Sequence, residues 1–416
     1  MLKLSAAIIF LFFSIISNAQ YKWTGKVYTD PDIIPISRLS DEPFAFKGFK
    51  DKVRIYEKLT NENAAEFVIK ELDLKTFSIL RTDTIGFSTA NFQFWDICTA
   101  KKWDVIVGLH RLLIYDRLAK DFKQYSSDTF NFSHGVLIND STVLLSRLYN
   151  YHPLDGFSGL QLHIFNLNQN KIVKSQRYQV PGVGLGPMLT SLVFANKKNI
   201  FYLAPLTGEL FVYDLQLALV KRTSVPVHFS NYSANAQWQK KIDSTIYSDW
   251  NFRHHLYYKI GEDSFRKNDA LLHTYVDSRE FLNEIMNTAR SSHDYIEKII
   301  PYTDSIFIIT VCKANYNFKY RDLYFYNVNT NKVIDFKEKW LCSKNDPVTK
   351  FEDFFSVDVI FDSQVSPYFY NNKVYTFSTN NYMLYRSAPL DTLKKVMYKD
   401  ALKNNYKWHL SEYQLQ

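Results

Sequence analysis

"RLLIYDRLAKDFKQY" (residues 111–125) reads as an apolar strand, a polar turn and a second strand, and close relatives of it recur along the chain. "QLHIFNLNQNKIVKSQ" begins at residue 161, "ELFVYDLQLALVKRTS" at 209 and "DLYFYNVNTNKVIDFK" at 322. Another two-strand unit precedes each copy. These are "FQFWDICTAKKWDVIVGLH" before the first, "HGVLINDSTVLLSRL" before the second, "TSLVFANKKNIFYLA" before the third and "EKIIPYTDSIFIITV" before the fourth. "FAFKGFKDKVRIYEKL" with "EFVIKELDLKTFSIL" opens the series, and "YFYNNKVYTFST" with "YMLYRS" closes it. Six copies thus share one plan: strand, tight turn, strand, connection, strand, turn, strand.

A weaker seventh copy is read in "STIYSDWNFRHHLYYKI" and "ALLHTYVDSREFLNEI". With it, the third strands centre near Ile69, Ile114, Ile164, Val212, His273, Phe325 and Leu384, at intervals of 45 to 61 residues. Four strands repeating at about 50 residues is the period of a β-propeller. The runs "VIVGL", "IFIITV" and "LLIY" are apolar throughout, which requires burial on both faces, as in blades packed one against the next. A sandwich needs no such repetition, a β-helix repeats at a shorter period, and only "SREFLNEIMNTARS" (278–291) reads as helix. The expected fold is all-β, a β-propeller of four-stranded antiparallel blades, seven favoured and six the alternative.

In this strand plan and in the "LLIYD", "LHIFN", "LFVYD", "LYFYN" series, residues 40–400 resemble the secreted bacterial propellers of the NHL/TolB-like superfamily, which includes uncharacterised families. The resemblance implies the fold and is nearly silent on activity.

The remainder of the chain is divided from composition. Lys3, the apolar stretch 6–16 and "SNAQ" read as a signal peptide over 1–19, cleaved between Ala19 and Gln20. Eleven apolar residues are too few to cross a ~30 Å hydrocarbon core, and no cysteine follows the signal to carry a lipid. The expected product is exported, periplasmic or extracellular, not lipid-anchored and monomeric. Residues 20–39 form an N-terminal arm, of which 24–36 is expected to complete the outer part of the last blade near 394–400, and 401–416 form a C-terminal tail. Three cysteines leave at least one unpaired; Cys312 with Cys342 is the one plausible bridge, and three buried, unbridged thiols are the alternative. The net charge is +8, falling to +7 without the signal, and the basic residues are scattered. Nucleic acid would need them concentrated. Glycine is scarce, 12 in all, so the turns must rely on Asn, Asp, Ser and Lys.

In a four-stranded blade, the first-to-second and third-to-fourth turns share one end of the strands. The second-to-third loops and blade links share the other. The first set is short ("FKD", "TAKK", "NDS", "NKK", "TDS", "YNN"), while the second holds 147–159, 180–188, 226–241, 261–269, 312–322 and 339–353. Binding residues concentrate on long loops over a rigid scaffold. The candidate ligand-binding residues are therefore Arg147, Tyr149, Tyr151, Asp155, Phe157, Tyr232, Trp238, Tyr316, Phe318, Tyr320 and Arg321. The aromatics offer flat contact area and the arginines polar anchors.

Catalytic and metal motifs are weak. Gly182, Gly184 and Gly186 lack the dinucleotide-loop spacing, Leu160 spoils a nucleophile elbow in "GFSGL", and Ser264 with Lys267 lie in a polar loop. His254 and His255 are adjacent, so on a strand they point apart, and no metal-ligand spacing occurs. No cofactor is implied. A glycosidase-like acid pair drawn from distant loops remains open, with Asp155, Glu262, Asp263 and Asp322 on the long-loop face. The expected function is non-enzymatic recognition of a protein or glycan. A glycan-active hydrolase or lyase with acids over the central channel is the alternative.

Overall fold

A computed structural model of the chain describes residues 21–29, 44–61, 64–87, 94–149, 157–180, 192–227, 244, 294–312, 321–335, 340–341, 364–365, 368–379 and 408–415. The first strand, β1 (Tyr21–Thr29), belongs to the last sheet. Blade 1 is β2 (Phe44–Phe49), β3 (Lys52–Asn61), β4 (Ala64–Asp73) and β5 (Ser78–Phe87). Blade 2 is β6 (Phe94–Thr99), β7 (Trp103–Gly108), β8 (Arg111–Asp116) and β9 (Asp121–Ser126). Blade 3 is β10 (His134–Asn139), β11 (Thr142–Tyr149), β12 (Gly159–Asn166) and β13 (Lys171–Tyr178). Blade 4 is β14 (Val193–Ala195), β15 (Asn199–Leu203), β16 (Glu209–Asp214) and β17 (Leu219–Ser224). Blade 5 is β18 (Tyr295–Pro301), β19 (Ile306–Cys312), β20 (Arg321–Asn327) and β21 (Lys332–Asp335).

Two short strands, β22 (Trp340–Leu341) and β23 (Gln364–Val365), pair in parallel with β1 and β2. Blade 6 takes β24 (Tyr368–Tyr370), β25 (Lys373–Thr379) and β26 (Trp408–Leu415), then β1. The architecture is a β-propeller of six four-stranded antiparallel blades.

The favoured count of seven is therefore corrected to six, the alternative. The reason is packing. The weak copy would have to stand between blades 4 and 5, yet these touch directly. Phe194 and Phe201 of blade 4 lie 4.7 and 5.2 Å from Phe307 of blade 5, and the Ile296 amide donates to the Pro205 carbonyl at 2.8 Å. Apart from Ser244, the copy itself, including His273, lies outside the described residues. The third strand of blade 6 is β26, in the stretch read from sequence as a tail, whereas Leu384 and 394–400 lie outside the described residues. β26 pairs antiparallel with β1 on one side and with β25 on the other.

Turn chemistry explains how so few glycines suffice. Every third strand of blades 1–5 ends on Asp or Asn: Asp73, Asp116, Asn166, Asp214 and Asn327. Each side-chain oxygen accepts backbone N–H groups of the turn that follows, from Lys75 and Thr76, Leu118 and Ala119, Gln169, Ala218, and Asn329 and Thr330. This side-chain mimic of a backbone turn is why Asx residues favour such sites. Each turn then passes one residue through positive φ: Phe77, Lys120, Asn170, Leu217 and Asn331. The ladder slips by one residue beside it in blades 1, 3 and 4, the bulge that lets the fourth strand follow the sheet's twist.

The blades pack as two groups, blades 6, 1 and 2 and blades 3, 4 and 5. In the second group the core is one continuous apolar cluster running from Leu144 to Tyr326. In the first, smaller apolar clusters (Phe46, Val53 and Leu72 with Tyr375; Tyr56 and Ile69 with Ile106 and Leu113) adjoin buried charge. The fourth strands of blades 2, 3 and 4 are exposed edges. β9, β13 and β17 carry Lys123, Lys171, Lys174, Lys221 and Arg222, which discourage edge-to-edge pairing.

Candidate functional site

The long-loop end of blade 3 holds all that the structure describes of the sequence-derived site except Arg321. β11 ends in Arg147 and Tyr149, and β12 begins at Gly159, so residues 150–158 connect them at that end. The Tyr149 ring is buried and meets half-buried Phe157 edge-on, with centroids 6.3 Å apart. The Arg147 guanidinium lies 5.9 Å from the Tyr149 ring centre, and that of Arg177, from β13, 5.1 Å from Phe157. Both contacts are cation–π attractions to the ring faces. Burial lowers the pKa of Arg147, an effect that Tyr149 partly offsets. Gly159 makes the close approach possible. Its φ is +152°, and a Cβ there would stand 2.2 Å from the Tyr178 carbonyl oxygen and 2.7 Å from Phe157.

Register places Arg147, Gln161 and Arg177 side by side on β11, β12 and β13. Arg177 was not among the sequence-derived residues. Its signal was its alignment opposite Gln161, visible only once the strand register is known. Arg321 opens β20, opposite Cys312. Tyr151, Asp155, Tyr232, Trp238, Tyr316, Phe318 and Tyr320 lie outside the described residues, as do Glu262, Asp263 and Cys342. Of the expected set, the structure thus brings together Arg147, Tyr149 and Phe157.

A second concentration of chemistry stands at the opposite end of the strands, the short-turn end, between blades 1 and 2. Arg54 of β3 donates from Nε to Glu71 at 2.8 Å and from Nη1 to Asp104 at 2.6 Å. Arg117, just after β8, closes the circuit, donating from Nη2 to Glu71 at 2.8 Å and from Nη1 to Asp104 at 3.0 Å. All four residues are buried. Two arginines and two acids cancel in charge.

Further groups satisfy the remaining lone pairs. Lys52 donates to Glu71 at 3.0 Å, the Tyr56 hydroxyl to Asp104 at 2.8 Å and Thr99 to Asp104 at 2.5 Å. Arg54 also donates to the Ala100 carbonyl at 2.7 Å and to Thr99. Burial pushes the pKa of Glu71 up, but Arg54, Lys52 and Arg117 outweigh it, and the carboxyl titrates below its ordinary range. Burial likewise opposes the charge on Arg54. Asp104 and Glu71 more than restore it, leaving its pKa raised.

Chemically the circuit is saturated. Each acid is engaged by two guanidinium groups, which leaves neither poised for proton transfer to a substrate. Buried Cys98 is no nucleophile either, because burial raises its thiol pKa. Among the described residues no group of three or more His, Cys, Asp or Glu is placed to hold a metal ion. None of the described helices is long and apolar enough to cross a membrane.

No protein-family profile matches this sequence, and no curated protein sequence matches it. Similar solved structures include a putative exported protein from Bacteroides fragilis, at 10% identity over 94% of each chain with a TM-score of 0.46. The WD40 domain of Neurospora crassa Pan2 is similar at 8% identity, over 76% of this chain and 71% of that one, with a TM-score of 0.40. A protein of unknown function from Bacteroides caccae is similar at 7% identity, over 74% of this chain and 77% of that one, with a TM-score of 0.35.

Proposed function

We propose that this propeller is an exported recognition module of the NHL/TolB-like kind that binds a protein partner through the long-loop end of its blades. The observation that carries this reading is the cluster of Arg147, Tyr149, Phe157 and Arg177, in which guanidinium groups and rings are held against one another at one strand end. Aromatic and arginine side chains dominate the energetics of protein interfaces because they combine large contact area with oriented donors. Glycan binding favours parallel exposed rings, and the edge-on packing of Tyr149 against Phe157 argues against that version. Tyr151, Asp155, Tyr232, Trp238, Tyr316, Phe318, Tyr320 and Arg321 would extend the same surface.

A photo-crosslinking side chain placed at position 157, in the full chain expressed with its leader, tests the reading. The expected result is a discrete protein adduct, competed by unlabelled protein and lost in Arg177→Ala. Capture of a glycan from a defined panel, with no adduct, would assign the glycan version. Depolymerisation of that glycan would assign the enzyme. Export is tested by sequencing the mature amino terminus, expected to begin at Gln20.

A further inference from the structure

His163 lies on β12 with none of its surface exposed to solvent. Across the sheet it faces Leu145 on β11 and Ser175 on β13, whose hydroxyl is 2.7 Å from its Nδ1. Two rings from the segment that joins β9 to β10 enclose it: Phe130, 4.6 Å away and tilted, and Phe132, 5.5 Å away and edge-on. Among the described residues, Nε2 of His163 has no hydrogen-bond partner, and neither does Oε1 of Gln161, two residues earlier on the same face. A dry, unsatisfied polar atom carries a desolvation cost that is recovered once water reaches it.

The segment above is held by few bonds. The Ser127 amide donates to the His110 carbonyl at 2.9 Å and the Phe132 amide to the Leu109 carbonyl at 2.7 Å, while Ser133 anchors to the Ser146 carbonyl. Asp128 and Thr129 are exposed and Phe130 is half-buried. The segment is thus a short strap over the His163 ring, whose Nε2 gains hydration when the strap lifts.

We propose that residues 127–133 form an acid-released latch: protonation of His163 lifts Phe130 and Phe132 away and opens the polar strip of Arg147, Gln161 and Arg177 on blade 3. The groups around His163 make the charged form unwelcome. β11 contributes Arg147 and β13 contributes Arg177, both cationic, and β12 contributes Gln161. The strap contributes two phenyl rings and only one acid, Asp128, exposed at its tip. Burial, and then Arg177, push the His163 pKa down from its ordinary 6.5 to about 3. The closed state therefore holds a neutral imidazole, while a hydrated one binds a proton below pH 6.5. Closure is fully favoured above that pH and weakens as pH falls toward 3. The linkage predicts roughly thirty-fold more opening at pH 5 than at pH 8.

The test is residue-resolved hydrogen exchange on the full-length protein between pH 8 and 5, corrected for intrinsic chemistry. The amides of Ser127 and Phe132 should accelerate by roughly thirty-fold, while those of Phe201 and Tyr213 in blade 4 keep their protection. His163→Phe and His163→Gln, one apolar and one polar but neither titrating, should both abolish the acceleration. Phe130→Ala should speed exchange already at pH 8 and retain the pH dependence. The proposal is overturned if the strap amides do not respond to pH, if the response survives in a folded His163 variant, or if blade 4 accelerates in step.

Discussion

Blades 1 and 2 and blades 3, 4 and 5 are built on one strand plan but close their seams with opposite chemistry. The second residue of each second strand is Val143 in blade 3, Ile200 in blade 4 and Phe307 in blade 5, all buried. In blade 2 the same place holds Asp104. The residue that directly follows the Asx is Leu167, Leu215 or Val328 in blades 3–5, but Arg117 in blade 2. Two residues before the Asx stand Ile164, Val212 and Phe325 in blades 3–5, where blade 1 has Glu71. Blade 6 repeats that exchange, with Glu412 taking a hydrogen bond from Tyr375 at 3.1 Å and a salt bridge from Lys373 at 3.0 Å. A repeat position is a place in the packing, and two seams can fill it with hydrocarbon or with a closed circuit of charge. The second solution tolerates fewer single losses.

The largest effects separate these solutions. Asp104→Ala leaves Arg54 and Arg117 sharing one buried acid, and should cost about 3–5 kcal/mol in urea unfolding. Phe201→Ala, in the apolar seam, should cost about the same through its cavity, as is typical for a buried phenyl ring. Restoring the apolar pattern distinguishes them. The quadruple variant Arg54→Leu, Glu71→Ile, Asp104→Val, Arg117→Leu should recover most of the Asp104→Ala loss, because no buried guanidinium or carboxylate of the circuit is then stranded and, of the fully buried groups, only the Tyr56 hydroxyl loses its acceptor. A quadruple variant as unstable as Asp104→Ala would mean the circuit sets blade geometry rather than only filling space.

Gly159→Ala, at the long-loop end of blade 3, comes next. The added methyl would meet the Tyr178 carbonyl oxygen at 2.2 Å, at a φ that L residues rarely adopt. We expect a loss of about 1–3 kcal/mol and a displaced Phe157, read as reduced crosslinking at that position. Unchanged crosslinking with lowered stability would separate the strain from the recognition surface.

Acid should also distinguish the two groups. The Glu71 carboxyl titrates below its ordinary range in the folded protein. Its contribution is therefore complete above the unfolded value of 4.5 and lost as pH falls further. His163 acts earlier, from pH 6.5 downward. Near pH 5, exchange at Arg54 and Val105 should match that at pH 8 while the strap amides are already fast. Replacing Glu71 by Gln should remove the loss below pH 4.5 and leave the strap's response intact.

The fold was largely legible because its signal is redundant: "LLIYD", "LHIFN", "LFVYD" and "LYFYN" each report the same buried strand and the same Asx stop. The blade count was less so, since "ALLHTYVDSREFLNEI" matches the pattern at Leu271, Leu272 and Phe281. Only the direct contact of Phe201 with Phe307 shows that no blade intervenes. Arg147, Tyr149 and Phe157 were singled out through loop length, a property of the chain itself, and the structure adds that they lie together. Arg177 and the circuit of Arg54, Glu71, Asp104 and Arg117 were not, because they depend on register across strands and between blades. Aligning the copies residue by residue does expose Asp104 and Arg117 as charges in apolar columns.

The smallest expected effect concerns what both groups share. Asn166 and Asp73 end equivalent strands, and each holds its turn through hydrogen bonds from side chain to backbone. Neither supplies an apolar contact to a seam, so the chemistry of the seam should not matter to them. Asn166→Ala and Asp73→Ala should each cost about 0.5–1.5 kcal/mol, the worth of an ordinary hydrogen bond. The two differ in one respect. The turn amides, Thr76 first, hold the Asp73 carboxyl below its ordinary pKa, whereas an amide side chain does not titrate. The cost of Asp73→Ala should therefore shrink as pH falls below the carboxyl's ordinary 3.8, while that of Asn166→Ala stays level. A markedly larger loss at Asp73 at neutral pH would show the turn to be coupled to the neighbouring charge circuit, and the two seams would then differ in their turns as well as their cores.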